Sequence, residues 1–214
     1  PFAGDLSDPA GYLATREAAI SGITPGTQAR IVWAGQAGAT TPLSILYLHG
    51  FSATSEEIRP VPDNVATALD ANLVFARLRG HGRDGAALAR ARAGDWIDDT
   101  AEALAVARAV GDRVLILSTS TGGTLSVIEA NARDYSGADL PALFLFSDAD
   151  RVVSAAATRT FAQGWRGPVT LVPLDLPEAG ADPFAHVIAG DILSPAMTER
   201  VTDEIVTWAR GLQD

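Results

Sequence analysis

The sequence predicts an α/β fold with a mostly parallel central sheet flanked by helices. Strand-like and helix-like segments alternate along all 214 residues, the order that lays successive strands side by side in parallel. The strongest apolar run, "LSILYLHG" from Leu43 to Gly50, is near-continuous, as in a strand covered on both faces. No internal repeat or low-complexity linker interrupts the series. The expectation is therefore one domain over residues 1–214, long enough to bury a sizeable core.

Ala29 to Gly35 reads as an early strand and Leu43 to Gly50 as the next. Thr54 and Glu57 have capping-box spacing. Pro60 and Pro62 then interrupt any long helix, so a short turn should precede a helix from about Pro62 to Leu69. Asn72 to Gly82 reads as a strand with its exit loop. Asp95 to Val110 is the clearest helix: Trp96, Thr100, Leu104, Ala107 and Val110 form one stripe. Asp95, Asp98 and Asp99 begin it, where negative charge suits the helix dipole. Arg113 to Ser118 is a strand and Gly122 to about Arg133 a helix. Ala142 to Asp148 and Pro168 to Asp175 are further strands; Thr158 to Trp165 and Met197 to Leu212 are helices. Trp33, Trp96, Trp165 and Trp208 fit packing positions.

Apolar residues make up 47% and charged residues 20%, a globular balance rather than a disordered one. A formal net charge of -10 argues against binding a nucleic-acid backbone, which needs clustered cations. With no Cys, disulfides, thiolate zinc sites and cysteine nucleophiles are excluded. No apolar run approaches the roughly 20 residues of a membrane span. The chain starts at Pro1 rather than Met, so a removed signal or anchor stays open, and with it a cytoplasmic or exported location. Oligomeric state is not legible.

Ser118-Thr119-Ser120-Thr121-Gly122 ends a strand and opens a helix. A strand–turn–helix capped by hydroxyls accounts for it. So does a nucleophile elbow, usually G-x-S-x-G, with Ser120 at the tip and Ser118 replacing the first Gly. Such a turn needs small residues two before and two after the nucleophile, as here. Taken alone, the stretch admits both readings.

A serine nucleophile needs a base, and the base an orienting acid. Of the three His residues, His49 and His81 precede the elbow; His186 alone follows it. Ser120, Asp150 and His186 fit the chain order Ser, acid, His. Asp150 lies just past a hydrophobic strand, where a carboxylate reaches the mouth of the sheet. Asp148 is its nearest rival; Asp175 and Glu178 are distant ones.

With "LYLHGF", "LRGHGRDG", "STSTGG", "SDADRVV" and "AHVIAGD" in order, the chain resembles the α/β-hydrolase family, especially its esterase and monoacylglycerol-lipase-like members. The resemblance spans residues 43 to 191, and it favours Asp150, three after the small Ser147, over Asp148. It implies an oxyanion hole from the backbone N–H groups of Phe51 and Thr121, with the Phe51 side chain shaping an acyl pocket. His49 would brace the oxyanion loop. His81 and Arg79 would form a hydrogen-bonded turn at the site rim, with a substrate contact as the alternative.

The family normally has a further strand, and often a lid, between the elbow helix and the acid-bearing strand. Here about 18 residues separate Gly123 from Pro141, and the helix uses most of them. Three explanations are open: the acid-bearing strand pairs beside the elbow strand, a lid has been excised, or a mobile lid is unrecorded. A missing segment joined near residues 129–136 is favoured, because losing an inner strand strands backbone groups on both neighbours.

The expected activity is a serine hydrolase cleaving carboxylic esters of small or medium acyl chain through an acyl-enzyme on Ser120. Its partner is a small-molecule ester, and no metal or cofactor is implied. The same triad would serve a thioesterase, a peptidase or a C–C hydrolase. A non-catalytic binding protein of this fold is the alternative from another class.

Overall fold

A computed structural model describes residues 2–132 and 139–212. Contacts within the chain divide it into two units, Pro1–Glu57 with Ala66–Arg133 and Ile58–Val65 with Asp134–Asp214.

The first unit opens with helix α1 (Pro9–Ala18), then strands β1 (Arg30–Val32) and β2 (Thr41–Leu48). Helix α2 (Val61–Ala68) carries the chain back from the second unit, and strand β3 (Asn72–Phe75) follows. Helices α3 (Gly85–Leu88) and α4 (Ala93–Ala109), strand β4 (Gly111–Ser118) and helix α5 (Thr121–Ala132) complete the unit. The four strands form one sheet in the order β1-β3-β2-β4. β2 lies parallel to both β3 and β4, and β1 is antiparallel to β3. Ile45, Leu46, Tyr47, Leu48, Leu73 and Phe75 are fully buried, as the near-continuous apolar runs predict for a strand covered on both faces.

Local chemistry explains where elements differ from expectation. β1 is shorter than Ala29 to Gly35 because the Ala34 N–H turns to the buried Asn72 side chain at 3.0 Å instead of the ladder. Thr54 and Glu57 make no capping box. The Glu57 carboxylate binds the Gly50 N–H at 2.8 Å, and the helix starts at Val61. In α4, Thr100, Leu104 and Ala107 are buried as the stripe requires, and Asp95 caps the Arg92 N–H at 2.9 Å. All four Trp side chains are half-buried.

Helix α1 was not expected. Asp8 caps it, with Pro9 in its first turn. Its inward face carries Glu17, which binds Arg77 through Nε at 2.6 Å and Nη2 at 2.9 Å, and the Ala29 N–H at 3.0 Å. Both partners are almost fully buried. Burial opposes ionisation of Glu17, but Arg77 prevails and holds the carboxyl below its usual range. Arg16 adds a bond to Asp99 of α4 at 2.9 Å. These pairs tie α1, the start of β1, the exit of β3 and α4 together.

In the second unit, strand β5 (Ala142–Phe146) leads to helix α6 (Ala155–Gln163), strand β6 (Val169–Pro173) and helix α7 (Thr198–Arg210). β5 and β6 pair in parallel over five residues. α6 starts earlier than Thr158 because the chain already turns helical after Ser154, and it ends before Gly164. α7 is preceded by a single 3-10 turn, Pro195–Met197.

β4 is an edge of its sheet, and Val114, Leu115 and Ile116 are only half-buried. β5 pairs with β6 in a separate two-stranded sheet, so among the described residues the acid-bearing strand shares no ladder with β4. Among the described residues no strand falls between α5 and β5. Of the proposed junction at 129–136, residues 133–136 lie outside the described residues. Among the described residues, no helix is long and apolar enough to cross a membrane.

Candidate active site

β4 ends at Ser118, and α5 begins at Thr121. Between them Ser120 is exposed and takes a left-handed backbone, φ +49°. That conformation is costly for a residue with a Cβ and collects at functional turns. The turn lies against the end of β2. The Thr119 N–H donates to the Leu48 carbonyl at 3.1 Å. A Cβ on Gly122 would meet that same oxygen at 2.2 Å and the His49 carbonyl at 2.9 Å. Glycine is therefore required two residues after Ser120. It is not required two before, where Ser118 is exposed and its Oγ lies 3.8 Å from a Cβ built on Gly123.

β2 runs into the loop His49-Gly50-Phe51-Ser52. Two imidazoles hold it. His49 is fully buried; its Nε2 accepts the Leu78 N–H at 3.3 Å, and its Nδ1–H donates to the Gly50 carbonyl at 2.9 Å. His81 Nε2 accepts the Ser52 N–H at 3.1 Å, and its Nδ1–H faces the Arg79 carbonyl at 3.3 Å. Each ring accepts on one nitrogen and donates from the other, which fixes it as the neutral Nδ1–H tautomer. Burial pushes the His49 pKa down to about 4 and lowers that of His81. Trp96 Nε1–H also reaches the Arg79 carbonyl, at 3.0 Å. The Phe51 ring stands edge-on to His81 and Trp96, with 58% of the residue exposed. Thr121 is the first residue of α5, so its N–H has no intrahelical acceptor. Among the described residues, neither it nor the Phe51 N–H is donated to another protein group.

In the second unit the structure brings Asp150 and His186 together. Past β5, the Asp150 N–H bonds the Ser147 carbonyl at 3.3 Å, and the turn presents the carboxylate to the His loop. Asp150 Oδ2 lies 2.9 Å from His186 Nδ1. Oδ1 accepts the N–H groups of Val152 and Val153 at 2.7 and 2.9 Å. Both carboxylate oxygens are thus committed, which fixes the Asp150 rotamer. Asp148 points elsewhere and pairs with Arg159 through two bonds of 2.6 and 3.0 Å. Asp175 and Glu178 are exposed.

Sequence reasoning missed Asp182. Its carboxylate accepts the backbone N–H groups of Phe184, His186 and Val187 at 3.0, 3.0 and 2.9 Å. Burial would raise its pKa, but these three donors outweigh burial and hold it below the usual value. Its own N–H donates to Ser194 Oγ at 2.9 Å, and Ser194 Oγ in turn donates to the Val187 carbonyl. Ala185 takes φ +53° inside this loop. The one sequence signal was the Asp182-Pro183 dipeptide, which favours turn initiation.

No protein-family model matches the chain, and no curated protein matches it. Solved structures do match. One, from work on the metagenome-derived lipolytic enzymes LipS and LipT, superposes with TM-score 0.69 at 17% identity over 88% of this chain and 99% of that one. Est1E from Butyrivibrio proteoclasticus with ferulic acid bound gives 0.64 at 13% identity over 86% and 94%. An α/β serine hydrolase without a lid, from Xanthomonas campestris, gives 0.51 at 16% identity over 88% and 93%. At these identities the likeness is one of fold.

Proposed function

We propose that this chain of α/β-hydrolase fold is a serine hydrolase cleaving carboxylic esters of small or medium acyl chain. The observation that carries the reading is the 2.9 Å bond between Asp150 and His186 Nδ1. The other two imidazoles have both nitrogens committed to backbone groups, which leaves His186 as the base.

In this reading Ser120 Oγ attacks the acyl carbon while His186 Nε2 takes its proton. Asp150 holds the ring in the tautomer that makes Nε2 basic. The negative oxygen of the tetrahedral intermediate is held by the N–H groups of Phe51 and Thr121, donors worth roughly 10²–10³ in rate each. The carbon–oxygen bond to the alcohol breaks, and His186 protonates the leaving oxygen. Water then attacks the acyl-enzyme with its proton passing to His186, which returns it to Ser120 Oγ as the acyl–oxygen bond breaks and the carboxylic acid departs. In this reading the Phe51 side chain, which is exposed, shapes the acyl pocket.

The test is labelling by a fluorophosphonate probe, together with turnover of p-nitrophenyl esters of graded acyl length. An aryl-acyl ester joins the panel because a fold neighbour holds ferulic acid. Wild-type protein should label and hydrolyse the shorter esters; Ser120→Ala should do neither. Equal turnover by Ser120→Ala, or a folded wild-type chain that the probe does not label, would refute the assignment.

A further inference from the structure

Glu57 and Tyr47 lie outside the machinery just proposed, yet their side chains reach both of its backbone segments in the first unit. Glu57 Oε2 accepts the Gly50 N–H at 2.8 Å and the Tyr47 hydroxyl at 3.0 Å. Tyr47 Oη stands 3.2 Å from Thr119 Oγ1. A carboxylate only accepts, so the Tyr47 proton points at Glu57. The remaining bond then runs from the Thr119 hydroxyl to Tyr47 Oη. Burial, and after it the Glu57 charge, raise the Tyr47 pKa well above its usual value, which keeps that proton in place.

The result is a directed chain, Thr119 Oγ1–H to Tyr47 Oη–H to Glu57, met from the far side by the Gly50 N–H. Its two ends are the sequence neighbours of Ser120 and Phe51. Its middle is rigid: Tyr47 is fully buried, with its ring edge-on to Phe75 at 6.0 Å. A Cβ at Gly50 would lie 2.8 Å from Glu57 Oε1, so a larger residue there would push the carboxylate aside.

We propose that Glu57 and Tyr47 are positioning residues that hold the Phe51 loop and the Ser120 turn at a fixed separation, so that the oxyanion hole is assembled before substrate arrives. This rests on the reading of Ser120 as nucleophile and of the Phe51 and Thr121 N–H groups as oxyanion donors. A shift of the donors by a fraction of an ångström weakens transition-state binding while leaving ester binding nearly unchanged.

The experiment compares wild-type protein with Tyr47→Phe, Thr119→Val, their double variant, Glu57→Gln and Glu57→Leu. Each is assayed with p-nitrophenyl butyrate and with a boronic acid that forms a tetrahedral adduct on serine. Tyr47→Phe removes one oxygen and should lower kcat roughly tenfold, with KM within about twofold. Boronate affinity should fall in step with kcat, a coupling that a merely structural role would not produce. The double variant should be no worse than the worse single, because both break one chain. Glu57→Gln should recover part of the kcat that Glu57→Leu loses. If Glu57→Leu does not fold, Tyr47→Phe and Thr119→Val decide the matter. Wild-type kcat and boronate affinity in Tyr47→Phe and Thr119→Val, with turnover still abolished in Ser120→Ala, would overturn the proposal alone. A wild-type chain without Ser120-dependent turnover would overturn the hydrolase reading, and this proposal with it.

Discussion

Asp182 Oδ2 accepts the backbone N–H of His186 at 3.0 Å, so the residue that presents the imidazole is held by its main chain as well as by Asp150. The same carboxylate binds two further N–H groups, of Phe184 and Val187. Asp182→Ala would leave three backbone donors without their acceptor in a partly buried loop. Hydrogen bonds to a charged group are each worth about 1.5–3 kcal/mol, and a misplaced base costs on the order of 10²-fold in rate. The expected outcome is a fall in ester kcat of roughly 10²-fold and a loss of about 3 kcal/mol in urea unfolding. Because its folded pKa is lowered, the stability Asp182 supplies is present above pH 3.8 and is lost as pH falls through the lowered value.

Ser120 at φ +49° predicts a stability change opposite in sign to the activity change. Glycine accepts that conformation without a Cβ penalty. Ser120→Gly should therefore unfold at higher urea than Ser120→Ala, by about 1 kcal/mol, while both lack turnover. Equal midpoints for the two variants would show that the turn is unstrained.

The buried neutral His49 makes the fold acid-sensitive. Unfolded, the ring takes up its proton near pH 6.5; folded, only near pH 4. Between those values the unfolded chain binds the proton and the folded chain does not, so falling pH favours unfolding. The stability tied to His49 is whole above about pH 6.5 and is progressively lost down to about pH 4. The total is on the order of 3 kcal/mol. Urea midpoints at pH 7.5 and pH 5 check this, with His49→Gln showing the smaller difference.

The central strands were legible because apolar continuity is a local signal: β2, β3 and β4 appear close to where the residue types put them. Helix α1 was not, because its buried face holds Glu17, and a carboxylate reads as solvated until its partner Arg77, 60 residues away, is known. Glu57 misled in the other direction. Its spacing from Thr54 matches a capping box, and only the fold shows that Gly50 and Tyr47 compete for it more successfully. Chain order picked out Asp150 and His186, whose carboxylate and imidazole meet. Asp182 escaped because its bonds go to backbone groups, which no pattern of side-chain types reveals.

The Phe51 residue separates two jobs at one position. Its backbone is anchored through its neighbours, by Glu57 on the Gly50 N–H and by His81 on the Ser52 N–H. Its ring stands largely in solvent. A change of side chain at 51 removes the ring contacts to His81 and Trp96 but leaves the two backbone anchors of the loop with their partners. At the proposed site, position 51 is one at which saturation mutagenesis can search the range of accepted esters while the backbone anchors at Gly50 and Ser52 stay in place.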